Sequence, residues 1–276
     1  MKKILYFLIA VIILLSAVSF IVYLCRKGCF VNPVRLTELK GQEKSRPLEE
    51  GIKFLKIRKD KEALVIFEEM LFAHPDNLDA LWGKAEVLRR QRDYKSAEKL
   101  LNEILKKDTR HISSLTTLAY IRYKEDKLNE ALTLINAILK EDSIDKENQA
   151  LCFLMLGAIN GRRSEKGGLF SKIRYGIKIH GYFLKAKEAA PDLPEVHLGL
   201  GAFYLLAPAI VGGNTDKAFL ELKLAVEIAP EFATANARLA QYYKKKGDFK
   251  KYELFAKKAK QLDPENEVLI EMGGRL

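Results

Sequence analysis

Residues Asp79 to Leu105 read DALWGKAEVLRRQRDYKSAEKLLNEIL. Apolar residues recur at helical spacing in two blocks, and the polar stretch Gln91–Asp93 parts them as a turn. The unit is a helical hairpin. Working outward, Ala97 has counterparts at Ala63 and Ala131, equally spaced on either side, and Pro230 and Pro264 keep the same interval of thirty-four positions. Pro75 follows Ala63 by twelve residues, as Pro230 follows Ala218. A fixed period of this length marks an array in which each hairpin leaves an apolar face that only its neighbour covers.

This register resembles the tetratricopeptide repeat family, whose unit has the same length and carries a small residue at its eighth and twentieth positions and often a proline at its thirty-second. Gly51, Ala85, Ala119, Gly157, Gly201 and Ala240 match the eighth position, and Ala63, Ala97, Ala131 and Ala218 the twentieth. Ile179 and Tyr252 depart from the second small residue, and Thr109 and Ser143 from the proline. Leu81, Leu115 and Phe153 at the fourth position, with Leu118, Leu156, Leu200 and Leu239 at the seventh, read as the buried seam between helices. The fold expected is an all-α solenoid of about six hairpins over residues 44–276.

The resemblance implies a protein-interaction scaffold whose concave face is lined by positions two, five, nine, twelve and thirteen of each first helix. Those positions are Trp82, Glu86, Arg89 and Arg90 in the second repeat, and Thr116, Tyr120, Tyr123 and Lys124 in the third. In the last they are Thr234, Gln241, Lys244 and Lys245. Aromatic and arginine side chains are the usual anchors of a peptide-binding surface, and an unoccupied solvated face is the alternative. Leu48 and Ile52 stand where chaperone-binding members carry lysine and asparagine, so no clamp for a C-terminal carboxylate is expected.

Ahead of the array, the run from Ile4 to Leu24 contains no charge and is flanked by Lys2, Lys3, Arg26 and Lys27. At the helical rise this spans a bilayer core. Residues 1–25 therefore read as a transmembrane anchor, or an uncleaved signal, and residues 26–43 as a linker. The apolar run continues past the small residues Ala17 and Ser19, against cleavage there. Basic residues flank both ends nearly equally; the short Met-Lys-Lys leader favours an inner-membrane, single-pass protein with its helical domain periplasmic or extracytoplasmic, the cytoplasmic orientation being the alternative. Cys25 and Cys29 beside this segment and Cys152 form no disulfide framework or zinc pattern.

No catalytic constellation is evident, and no enzyme, metal or cofactor function is expected. His197 falls at a packing position, His74 and His111 at inter-repeat turns, and His180 in a basic helix without a carboxylate or cysteine at ligand spacing. The formal charge of +11 makes anionic partners electrostatically plausible. Arg162 to Lys187 concentrates it, with Tyr175 and Tyr182 interleaved. Nucleic acid is disfavoured against a solvated basic face beside an anionic membrane, and a homo-oligomer is an open expectation.

Two hairpins are enlarged. Gly157 to Ile179 is ten residues longer than the register requires, and Gly201 to Ala218 five longer. The insertions, residues 161–170 and 207–213, fall between the helices of consecutive hairpins and should be neighbours on one solenoid edge. Leu169, Phe170, Pro208, Ile210 and Val211 put apolar groups there, either as a contact site for a partner or another copy, or as mutual cover. Pro208 should end a helix, Gly212 and Gly213 allow a reversal, and Asn214 or Thr215 cap the next helix. Phe203 to Ala218 also resembles the T component of tripartite ATP-independent periplasmic transporters, with Asn214 in place of an acidic residue. That likeness implies a periplasmic accessory role.

Overall fold

The computed structural model describes residues 46–165 and 168–273. The chain divides into two units, 1–47 and 48–276, and the described residues lie almost entirely in the second. The apolar segment 1–25 and the linker 26–43 lie outside the described residues. Among the described residues no helix is long and apolar enough to cross a membrane.

The described residues form a run of helical hairpins. They are α1 (46–56) with α2 (Asp60–Ala73), α3 (Leu78–Arg90) with α4 (Tyr94–Lys107), and α5 (Ile112–Lys124) with α6 (Leu128–Ile138). There follow α7 (Lys146–Glu165) with α8 (Leu169–Ala189), α9 (Pro194–Leu206) with α10 (Thr215–Ile228), and α11 (Ala233–Lys246) with α12 (Phe249–Leu262). The short helix α13 (Glu267–Glu271) closes the array. The repeat register predicts six such hairpins over residues 44–264, and the described part of that range forms them.

Side-chain size at two positions explains how closely each hairpin closes. Ala63, Ala97, Ala131 and Ala218 are completely buried. Where the eighth position is glycine, the residue four beyond the twentieth is large and fills the vacated space. A Cβ on Gly51 would lie 2.7 Å from the Phe67 ring, one on Gly157 2.2 Å from Phe183, and one on Gly201 2.6 Å from Leu222. Burying such a side chain contributes about 1.5–3 kcal/mol. In the sixth hairpin the sizes are exchanged: Tyr252 is large, and Ala256, four residues on, is small and fully buried. The departure from the repeat pattern is thus compensated within its own hairpin.

Caps recur with the same period. The side chains of Asn77 and His111 accept from the backbone amides of Ala80 and Ser114, and Asp145, one period further on, accepts from Asn148. Asn266 caps α13 in the same way. The turn inside each regular hairpin holds one residue in the left-handed region: Arg58 (φ 66°), Arg92 (65°), Asp126 (61°) and Gly247 (77°). Only the last is glycine; the other three carry a steric cost of about 1 kcal/mol each.

The ten extra residues of the fourth hairpin make helix more than loop. They lengthen α7 and α8 to 20 and 21 residues against 11–14 in the regular repeats. The five extra residues of the fifth hairpin form a 3₁₀ turn, Ala209–Val211, after Pro208. Gly212 then takes φ 106°, and the Asn214 side chain accepts from the amides of Asp216 and Lys217. Gly213 is required for space, since a Cβ there would meet the Ala207 carbonyl oxygen at 1.9 Å. Val211 is buried against Gly176 of α8, so the two enlarged hairpins do meet.

Candidate functional site

The first helices of the hairpins, α1, α3, α5, α7, α9 and α11, face inward with α13, and together they enclose a cavity of about 450 Å³. Their partners α2, α4, α6, α8, α10 and α12 form the outer layer. Glu86 is a buried charge in the cavity wall. This carboxylate receives Nε of Arg89 at 2.8 Å, Nε of Arg90 at 2.9 Å and the Thr117 hydroxyl at 3.3 Å. Burial alone would raise the Glu86 carboxyl, but the two guanidiniums beside it hold it well below the usual carboxylate range. Arg90 also donates to Asp60 at 2.6 Å and to the Leu55 carbonyl at 2.7 Å, tying the second hairpin to the first. The guanidinium of Arg89 lies 4.2 Å from the centre of the Tyr120 ring, and Trp82 Nε1 donates to Thr117 at 3.0 Å. The aromatic surfaces are thereby fixed in place before anything binds.

The solenoid closes on itself. Arg58, in the first hairpin turn, pairs with Glu195 of α9 and lies 3.9 Å from the centre of the Phe232 ring at the start of α11. Burial, reinforced by the charge of Arg90, depresses the Arg58 guanidinium below its ordinary value. Lys56 pairs with Glu147, Arg92 with Asp263 at 2.9 Å and Glu265 at 3.3 Å, and Lys124 with Glu267 at 2.6 Å. Each apolar cluster among the described residues joins neighbouring hairpins only, and none links the first two hairpins to the last two. The closure is therefore electrostatic, and its two central arginines stand on the strained left-handed turn positions.

Of the groove residues expected from the register, Trp82, Glu86, Arg89, Arg90, Tyr120, Tyr123 and Lys124 line this one cavity, with Thr116 and Thr234. Gln241, Lys244 and Lys245 do not. Gln241 accepts from Arg238 at 2.8 Å, Lys244 donates to the Met272 carbonyl at 3.0 Å and Lys245 to the Leu205 carbonyl at 3.1 Å. Sequence reasoning missed Arg58, Glu195 and Phe232; the first lies 137 residues before Glu195 and further still before Phe232. His197 is a buried structural residue: its ring nitrogens face Glu221 and the Pro191 carbonyl, each at 2.7 Å. On the insertion edge Phe170, Pro208 and Ile210 are exposed and Val211 is covered; the side chain of Leu169 lies outside the described residues.

Hairpins of this size, joined eighth position to twenty-fourth and repeated at the interval that Ala63, Ala97 and Ala131 set, decide the class. The fold is that of the tetratricopeptide repeat. The sequence matches no curated protein, while the profile of the anaphase-promoting complex, cyclosome, subunit 3 matches residues 57–138. The tetratricopeptide solenoid is similar to the human IFIT1 dimer with m7Gppp-AAAA, at 20% identity over 83% of this chain and 52% of that one, with a TM-score of 0.57. It is similar to the APC/C hetero-tetramer Cut9–Hcn1, at 14% identity over 84% of this chain and 42% of that one, with a TM-score of 0.55. This chain thus spans about half the length of either. PilF of Pseudomonas aeruginosa aligns with 86% of this chain and 99% of its own, at 16% identity and a TM-score of 0.46. None of these is a transporter T component.

Proposed function

We propose that the protein is a membrane-tethered scaffold that holds a short segment of a partner protein in its central cavity. The observation that carries this reading is the preformed, aromatic-walled cavity of about 450 Å³ built on the Glu86–Arg89–Arg90 cluster. Its size is that of sites that enclose a small ligand or a few side chains, and its aromatic and arginine groups are the usual anchors of recognition. The uncharged run from Ile4 to Leu24 supports the tether, with the helical domain on the periplasmic or extracytoplasmic side of the inner membrane.

The same fold is seen with a protein in Cut9–Hcn1 and with an oligonucleotide in IFIT1, so the fold does not choose the ligand. Charge balance does favour a peptide. A polyanion needs uncompensated cations, whereas Lys56, Arg58, Arg89, Arg90, Arg92, Lys124 and Arg238 each already face a carboxylate. The exposed insertion edge at Phe170, Pro208 and Ile210 supplies a second contact surface.

A photo-crosslinking amino acid at position 120 of the full chain, irradiated in its native membrane, tests the cavity reading. A discrete protein adduct that disappears when Arg89 and Tyr123 are replaced by alanine is the expected result. Absence of any adduct, or an adduct with nucleic acid, would remove the reading.

A further inference from the structure

Helix α8 belongs to the outer layer, and its inward side is fully used. Gly176 lies under Val211, Phe183 fills the space left by Gly157, and His180 stacks on Phe203 with ring centres 5.0 Å apart. The opposite side presents Phe170, Arg174, Ile177, Lys178 and Leu184, all exposed and all on one helical stripe, while Lys185 at its border reaches back over the Phe153 ring of α7 at 5.7 Å. Apolar and basic groups alternate along the stripe. Phe170 is 91% exposed and Ile177 61%; Phe72 and Leu254 on other helices are as exposed, so it is the row shared with unpaired cations that sets this face apart. Between Leu169 and Lys187 there are five Lys and Arg residues and no Asp or Glu. Among the described residues Arg174 and Lys178 enter no ion pair, in contrast to the cations that line the cavity. Leu206 and Ile210 are 55% and 77% exposed, and Ile210 immediately precedes Val211, which packs on Gly176 of α8.

We propose that this face of α8, with the neighbouring 206–210 turn, docks on an anionic lipid surface. The proposal rests on reading the insertion edge as a contact surface and names what it contacts. An outward helix with large apolar groups in one row and lysine or arginine beside them is the pattern that lies at a headgroup boundary, the apolar groups entering the acyl edge and the cations meeting lipid phosphates. A second copy fits poorly, because a two-fold contact would set this cationic face against itself. Nucleic acid would leave Phe170, Ile177 and Leu184 without apolar cover.

The test is hydrogen exchange of the full chain in lipid nanodiscs of phosphatidylcholine alone or mixed with phosphatidylglycerol, and in detergent. Segments 169–185 and 206–211 are expected to exchange more slowly in the phosphatidylglycerol discs only, the protection fading at high salt. Replacing Arg174 and Lys178 by glutamine should lower the docked-to-free ratio by roughly 30-fold, the size set by two charges near such a surface, with helicity unchanged. Equal exchange in the two discs overturns the proposal. Protection that appears in detergent and grows with protein concentration also overturns it, assigning the face to a second copy and leaving the contact reading intact. Protection by a single-stranded oligonucleotide but not by lipid overturns it in favour of nucleic acid, and unprotected exchange under every condition removes both readings.

Discussion

Arg58 and Glu195, 137 residues apart in sequence, meet side chain to side chain across the mouth of the solenoid. The arginine occupies a left-handed turn position and the glutamate the first turn of α9. Removing either charge leaves the other largely buried and unpaired. Arg58→Ala is expected to weaken closure by about 2 kcal/mol, typical for truncating one member of such a pair. Small-angle scattering should show a larger radius of gyration, and the exchanged pair Arg58→Glu with Glu195→Arg should restore part of the compactness. An unchanged scattering profile for Arg58→Ala would show that the ion pair does not hold the mouth shut.

Glu86 is the charge on which the cavity wall depends. Glu86→Gln leaves Arg89 without a carboxylate and Arg90 with Asp60 alone, and should cost about 3 kcal/mol, the usual scale for breaking a buried pair from one side. The folded-state carboxyl is held below its ordinary value of 4.5. Its stabilisation is therefore complete above that pH and is lost as pH falls below it. Denaturation midpoints measured on both proteins should converge in acid; parallel pH profiles would show that Glu86 does not contribute this linkage.

Two glycines of α7 should respond in opposite directions to alanine. At Gly157 the added methyl meets the Phe183 ring, and overpacking of this kind costs about 1–3 kcal/mol. At Gly161 nothing lies within 4 Å, and alanine should stabilise by roughly 0.5–1 kcal/mol through helix propensity. Urea denaturation of both variants reads the contrast directly, and equal shifts would contradict the hairpin register.

The turn between α9 and α10 depends on its cap and on its buried valine. Asn214→Ala should cost about 1 kcal/mol. Val211→Asp places a charge against Gly176 and should cost about 2 kcal/mol or more. If Val211→Asp melted like the parent and only abolished an association, Val211 would be a partner contact instead of an internal one.

How much of this could be read from the chain follows from the range of the interactions. The even spacing of Ala63, Ala97 and Ala131 is a local signal, and with it came the hairpins, the seam and seven residues that share one cavity. Asn214 and Pro208 act through neighbours a few positions away, so the fifth hairpin turn was legible too. Arg58 and Glu195 were not, because repeat register places a residue inside its own hairpin but says nothing of how far the array curves. The same gap explains Gln241 and Lys244, which hold groove positions in register yet do not line the cavity and bond instead to Arg238 and the Met272 carbonyl. At residues 161–170 the extra length was visible, but continuous α-helix on both sides of it was not.

The meeting of first and last hairpins also limits how this chain can change over evolutionary time. An open array gains or loses a unit by duplication at little cost, since each unit touches only its neighbours. Here one more hairpin between Arg92 and Glu195 would carry Glu195, Asp263 and Glu267 past their partners and strand several charges in a single event. Unit number is thus locked, and novelty has to enter by lengthening units already present. The two enlarged hairpins are placed accordingly: their added residues lie between the two helices of one hairpin, not between successive hairpins, and leave the number of units unchanged.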